Sequence, residues 1–168
     1  TFLLTEAPYF FNDFQIGLMG VVGIVGIWSS QWTGKKIAQH REKWLAKLTT
    51  SCLLLAWIPL LFAQKHLSLY ILGLIFAYFG ISSLHVLNQN LVYRISLQAR
   101  SRINAIYMTL YFSGAGVGSF LSLMLWKHYH WSACVGLGFG FAVIIFLLNR
   151  YDLNQEKNLA NMTLKQAD

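Results

Sequence analysis

Charged residues are scarce in this sequence. Asp, Glu, Lys and Arg together make up 11% of its 168 residues, whereas a soluble domain carries about 25%. Hydrophobic residues reach 56% and mean hydropathy is +0.49, which is more apolar surface than one aqueous core of this size could bury. The scarcity of charge therefore excludes an ordinary soluble domain and indicates a lipid bilayer as the surrounding solvent.

Cysteines and acidic residues are also few. Cys52 and Cys134 lie in apolar runs without a Cys-x-x-Cys spacing, so they exclude a disulfide framework. Six acidic residues against 13 Lys and Arg leave a net charge of +7, which could suggest nucleic-acid binding. That function needs basic residues gathered on one solvated face. Here they lie between apolar runs, so we expect no nucleic-acid partner.

Catalytic motifs are missing as well. The sequence contains no H-E-x-x-H, P-loop or nucleophile-elbow pattern. Of its five histidines, only His85 lies well inside an apolar run, so a haem with two axial histidines from this chain is not expected. We predict that the chain is not an enzyme and needs no cofactor and no metal. A membrane enzyme is the most distant alternative.

Long apolar runs, by contrast, are abundant. A helix needs about 20 apolar residues to cross roughly 30 Å of hydrocarbon. The first of the runs is short, and extension back to Asn12 or Asp13 as a helix cap would lengthen it. Five runs qualify as spans: about 16–32, 45–63, 67–91, 104–126 and 131–149.

These runs predict an all-α, polytopic transmembrane helix bundle. Residues 1–151 form the transmembrane domain, and residues 152–168 form a polar cytoplasmic tail. Residues 1–11 look like the outer end of a further helix, and the chain begins without Met. We therefore expect five complete spans plus the end of a sixth, in a fragment of a longer membrane protein.

The basic residues predict the orientation. Eleven of the 13 Lys and Arg residues lie in the connections 33–47 and 92–103 or in the C-terminal tail, while Lys65 and Lys127 lie in the two tight turns. Cytoplasmic loops carry the excess of Lys and Arg. The two connections and the C-terminus should therefore be cytoplasmic, and the two turns should be outside.

Glycines mark the predicted packing surfaces. In the run 104–126, Gly114, Gly118 and Ser122 share one helical face, which Tyr107 and Tyr111 extend. Helices in lipid associate through close backbone approach at small residues spaced four apart. We expect this face to pack tightly against a neighbouring helix.

A polar stripe runs along the third span. Tyr78, Ser82, His85 and Gln89 follow one another at spacings of four, three and four residues, so they share a helical face. Polar groups at membrane depth tend to face a bundle interior or a wet cavity. The stripe is therefore a candidate substrate or proton pathway, and simple pairing with neighbouring helices remains the alternative. His85 is either a ligand or proton carrier, or a satisfied polar residue.

Two stretches carry a family resemblance. The stretch ARSRINAIYMTLYFSGAGVGSFLS (99–122) resembles the eleventh helix, and its cytoplasmic approach, in the major facilitator branch that contains bacterial drug and sugar efflux permeases. The stretch DFQIGLMGVVGIVGIWSSQWTGKKIA (13–38) resembles helix eight and the glycine-plus-basic loop after it. The loop residues matched are Gly34, Arg100, Arg102 and Asn104. The acidic residue often found beyond the loop glycine is replaced here by Gln39 and His40, with Glu42 later.

The resemblance implies a function. The chain would be the C-terminal half of a multi-pass transporter in a bacterial inner membrane. The transporter would be an antiporter that exports a small organic solute in exchange for protons. The chain would cover the end of helix seven to helix twelve. Its partners would be the lipid bilayer, an unidentified substrate and a missing six-helix N-terminal half, without which it would be inactive. The alternative is a membrane assembly subunit that binds partner helices and transports nothing.

Overall fold

The computed structural model describes the backbone of residues 2–96 and 98–167, and the side chains of residues 3–96 and 98–155. The described residues form helices and no strands, which confirms the predicted all-α class. In chain order the elements are α1 (Phe2–Thr5), α2 (Asp13–Met19), a short 3-10 helix (Gly20–Gly23), α3 (Ile24–Ala38), α4 (Glu42–Leu61), α5 (Leu67–Tyr93) and α6 (Arg100–Ala167).

Within residues 2–96 and 98–167, four helical segments are long and apolar enough to cross a membrane. They are Asp13–Ala38, Glu42–Leu61, Leu67–Tyr93 and Arg100–Gln155. The last has 56 residues, or roughly 84 Å at 1.5 Å per residue, and it contains both of the runs predicted at 104–126 and 131–149. Its backbone leaves helical geometry at His130, with φ 57° and ψ −154°. The structure thus has four candidate spans where the sequence predicts five.

The first span begins at a capping box. Asn12 Oδ1 accepts a hydrogen bond from the backbone N–H of Gln15 at 2.9 Å, and the backbone N–H of Asn12 donates to Gln15 Oε1 at 3.0 Å. These bonds satisfy N–H groups that a helix start otherwise leaves unpaired. The predicted extension back to Asn12 is confirmed, and α2, the 3-10 helix and α3 together form a segment of 26 residues.

The centre of the bundle is the pair α4 and α5, which pack closely because glycines remove the side chains between them. A Cβ atom added at Gly80 would lie 3.0 Å from the backbone N of Leu53. One added at Gly73 would lie 2.5 Å from Leu60 Cγ and 3.1 Å from the carbonyl oxygen of Ala56. Any larger residue at these two positions would push the helices apart.

The two parts of α6 pack against different helices. After His130, the Trp131 indole N–H donates to the carbonyl of Leu60 at 2.7 Å, and Asn149 Nδ2 donates to the carbonyl of Ala46 at 2.9 Å. The second part therefore runs antiparallel to α4. Before His130, Asn104 lies beside Tyr93 and Tyr111 beside His85, so the first part runs antiparallel to α5.

The N-terminal residues cover the end of the bundle where α4 ends and α5 begins. Leu3 and Leu4 of α1 are buried against Leu60, Tyr70 and Val135. Helix α1 has only four residues, so the described chain contains a short turn of helix at the place where the sequence predicts the end of a sixth span.

The glycines of α6 do not make a close helix contact within the described chain. A Cβ atom added at Gly114, Gly116 or Gly118 would meet no described atom within 4 Å. Ser122 accepts a hydrogen bond through its backbone carbonyl from Cys134 Sγ at 3.3 Å. Gly114, Gly118 and Ser122 line an open cavity whose other walls come from α4, α5 and the second part of α6, so tight packing at these three residues stays a prediction.

Candidate functional site

The polar stripe of α5 contacts two helices. In its N-terminal half, Tyr78 and Ser82 face α3, where Gly26 leaves space for them. A Cβ atom on Gly26 would lie 2.7 Å from Ser82 Oγ and 3.9 Å from Tyr78 Cδ1. In its C-terminal half, His85 and Gln89 face the first part of α6. The four predicted residues therefore lie along one line that α3 and α6 flank.

His85 is held by tyrosines of α6. The Tyr107 hydroxyl lies 3.0 Å from His85 Nδ1 and 3.5 Å from the His85 carbonyl oxygen. The ring of Tyr111, one helical turn further on, has its centroid 4.7 Å from that of His85. Sequence reasoning assigned both tyrosines to the packing face and missed them as partners of His85. The sequence did contain an indication of this contact, because the two tyrosines are four residues apart and so share one face of the span that follows His85.

This geometry suits both protonation states of an imidazole. When Nδ1 is unprotonated, the Tyr107 hydroxyl can donate to it. When the ring is charged, Nδ1–H can donate to the hydroxyl oxygen, and the hydroxyl proton can rotate to the His85 carbonyl. The Tyr107 hydroxyl can therefore change from hydrogen-bond donor to acceptor without movement of either helix.

Asn104 joins the stripe to the loop motif. Its Oδ1 accepts from the Tyr93 hydroxyl at 2.9 Å and from Gln89 Nε2 at 3.4 Å. Arg100 Nε donates to the Tyr93 carbonyl at 3.4 Å. Two of the four loop-motif residues thus meet the end of α5, and one of them contacts the predicted stripe directly.

The other two loop-motif residues lie apart from this contact. Gly34 falls within α3 rather than in a loop, and a Cβ there would meet no described atom within 4 Å. Arg102 is exposed at the start of α6. The structure does not test the roles assigned to Gly34 and Arg102.

An open cavity of about 450 Å³ lies beside His85. Its polar lining comes from His85, Asn88 and the two tyrosines, and the remainder is aliphatic. Such a mixture of apolar walls with a few convergent polar groups is typical of a small-molecule site. The full lining is Leu53, Ile81, Leu84, His85, Asn88, Tyr107, Leu110, Tyr111 and Ile145.

Comparison with known proteins adds the family. The chain is 30% identical over 147 residues to the putative uncharacterized transporter YgaY of Escherichia coli K12, covering 88% of this chain and 37% of that protein. It is 25% identical over 137 residues to the uncharacterized MFS-type transporter YybF of Bacillus subtilis, covering 81% and 33%. No family model matches the chain, and no solved structure matches it significantly.

The chain is a relative of major facilitator transporters. This confirms the family that the motif of α6 predicts. The chain spans about a third of the length of the curated relatives it matches, which is consistent with a C-terminal half. The relatives and the apolar helices together identify a multi-pass membrane protein.

In this major facilitator relative, an ion pair links the connection between α3 and α4 to the connection between α5 and α6. Arg94 Nη2 lies 2.7 Å from Glu42 Oε1, which joins the start of α4 to the end of α5. Sequence reasoning noted Glu42 but assigned it no partner. A basic partner could have been expected, because Glu42 is the one acidic residue of the connection 33–47.

Nothing in the described part of this major facilitator relative forms a metal centre. Among those residues there is no group of three or more His, Cys, Asp or Glu side chains that could hold an ion.

Proposed function

We propose that this chain forms the C-terminal half of a secondary transporter that exports a small organic solute in exchange for protons across a bacterial inner membrane. The observation that carries the proposal is the contact between His85 and Tyr107 at membrane depth, beside an open cavity. Polar and ionisable groups at that depth mark transport and proton pathways.

The interruption at His130 supports five spans. The two parts of α6 run antiparallel to α5 and to α4, so each is placed to cross the membrane once in opposite directions. Trp131 begins the second crossing beside Leu60, at the end of α4. With the positive-inside rule, this puts His130 outside and Asn149 near the cytoplasm.

The exposed face of α6 supports a missing partner. Ile106, Leu110 and Val117 share one side of α6 and are 58%, 68% and 59% exposed. In transporters built from repeats, the substrate site lies where one repeat meets the other. We assign this face to the N-terminal six-helix half, and the cavity beside His85 to the shared pathway.

His85 is the proton carrier in this scheme. Imidazole is the side chain that gains and loses a proton in the physiological pH range. A proton taken up from outside would charge the ring, and its release to the cytoplasm would restore the neutral form. The Tyr107 hydroxyl accepts from the charged ring and donates to the neutral one. Gln89 cannot titrate and would hold the solute by hydrogen bonds.

The test is the pH dependence of transport. A longer protein that contains this chain is reconstituted in vesicles, and export of a solute found by resistance screening is measured from about pH 5.5 to 8. His85→Gln should flatten the profile. Gln89→Ala should raise the apparent KM and leave the profile in place.

The matched control is His66→Gln, because His66 is exposed in an outer turn. It should leave both the rate and the profile unchanged. If His85→Gln, normalised to folded protein, keeps the wild-type profile, His85 does not carry the proton.

One observation favours the second candidate, a membrane assembly subunit. The exposed apolar face of α6 at Ile106, Leu110 and Val117 would also suit a partner helix that carries no substrate. Copurification of the chain with a single-span protein, without any solute flux, would support that function instead.

A further inference from the structure

Four aromatic rings form a continuous surface on the side of the bundle where α3, α4 and α5 meet. Trp28 and Trp32 stack at 6.3 Å, Phe79 lies 5.7 Å from Trp32, and Trp44 lies 5.9 Å from Trp32, all between ring centroids. Trp28 is 59% exposed and Trp44 is 46% exposed. We call Trp28, Trp32, Trp44 and Phe79 the aromatic surface.

The aromatic surface reaches deeper than an interfacial belt. Trp28 lies ten residues before Ala38, the end of α3, which is about 15 Å along the helix axis. Trp44 lies in the first turn of α4, at the cytoplasmic end. The surface thus extends from the headgroup level into the depth occupied by acyl chains.

Its cytoplasmic end is positively charged. Residues 33–44 carry four basic residues and one acid, Glu42, and Glu42 is engaged by Arg94 at 2.7 Å. Lys36 Nζ lies 6.0 Å from the centroid of Trp32 and 3.2 Å from Gln39 Oε1. An open depression beside Trp44 is lined by His40, Arg41, Glu42, Lys43 and Trp44.

We propose that this face binds an anionic phospholipid of the cytoplasmic leaflet. The phosphate lies at Lys36, Arg41 and the depression, and one acyl chain lies along Trp28 and Phe79. Charge complementarity selects this occupant, because anionic headgroups are attracted by each Lys or Arg near the surface. Free phosphate would use the basic end but leave the aromatic surface uncovered. The site does not depend on whether the chain transports a solute.

The tryptophans themselves report the binding. The chain is reconstituted in phosphatidylcholine vesicles that contain a minor fraction of a brominated lipid. In one sample this lipid is phosphatidylglycerol with brominated acyl chains, and in the other it is phosphatidylcholine with the same chains. Quenching of tryptophan fluorescence is compared at equal bromine content. Brominated phosphatidylglycerol should quench at least about two-fold more strongly, because attraction to Lys and Arg enriches it at the protein. Salt at about 1 M, where the screening length is about 3 Å, should reduce the preference.

Two variants locate the effect. In the triple variant Lys35→Gln, Lys36→Gln, Arg41→Gln, the two brominated lipids should quench tryptophan fluorescence equally. The matched control Lys65→Gln, Lys127→Gln removes two charges at the outer turns and should keep the wild-type preference. Equal quenching of the wild-type chain by both lipids would overturn the proposal. It would also be overturned if the control variant lost the preference for phosphatidylglycerol as fully as the triple variant. Either result would leave this face to a protein partner. Circular dichroism confirms that each variant is folded, and the salt experiment needs no variant.

Discussion

Single residues decide how closely the helices of this bundle approach. Gly73 and Gly80, seven residues apart on α5, bring the helix against Leu60 and Leu53 of α4. The sequence predicts glycine packing at Gly114 and Gly118, and this stays a prediction, since a Cβ added there would meet no described atom within 4 Å. Glycine spacing shows which face can be approached, whereas only the fold determines which helix is there to approach it.

The first prediction concerns Gly80. Gly80→Leu should lower the free energy of unfolding by about 1–3 kcal/mol, because the new side chain would overlap the α4 backbone. Gly140→Leu is the matched control, since a Cβ at Gly140 meets no described atom within 4 Å. Thermal unfolding in detergent compares the two variants, and equal midpoints would contradict the packing described for α4 and α5.

A second residue-scale prediction concerns Asn104. Asn104→Ala should cost about 1–3 kcal/mol, because it removes the acceptor of Tyr93 and Gln89 in a half-buried position. Arg102→Ala, at an exposed position on the same helix, should change stability little. Denaturant unfolding in detergent separates them. A cost for Arg102→Ala as large as that for Asn104→Ala would argue against this assignment.

At the scale of elements, hydrophobic run length predicted most of the helices. The cap at Asn12 was predictable because an Asn before an apolar run can accept from the backbone N–H groups of the first turn. The pairing of His85 with Tyr107 was not, because it depends on how α5 and α6 are rotated against each other. The break between the two parts of α6 falls in the tight turn that the sequence predicts around Lys127, but the residue that carries it, His130, was not predictable, because residues 127–130 contain neither Gly nor Pro.

The third prediction tests that interruption. His130 has φ 57° and ψ −154°, a region that glycine adopts readily and other residues occupy at a cost of about 1–3 kcal/mol. His130→Gly should therefore raise the unfolding midpoint. His128→Gly, two residues earlier in regular helix, should lower stability by about 1 kcal/mol. A loss of stability in both variants would show that α6 is continuous at His130.

The fourth prediction concerns how the elements cross the bilayer. In a background without Cys52 and Cys134, cysteines at Gln39 and Gln98 should react with an impermeant thiol reagent from the cytoplasmic side alone, and a cysteine at His66 from the outside alone. The reason is the segregation of Lys and Arg between the connections. Reaction of all three from one side would refute the five-span arrangement.

For the whole molecule, the exposed surfaces suggest an incomplete assembly. The cavity beside His85 is open, and the α6 face that carries Ile106, Leu110 and Val117 is exposed in the described chain. The curated relatives are about three times longer than the matched segment. Alternating access needs two halves that move around a shared site, and in the proposed function this chain would supply one side of that site.

The most direct test of this account compares solute export by vesicles that contain the chain alone with export by vesicles that contain it joined to its N-terminal half. The account predicts no flux above empty vesicles for the chain alone, and pH-dependent export when both halves are present. Flux through the chain alone, or no flux from the joined protein across a broad panel of organic solutes, would contradict the account.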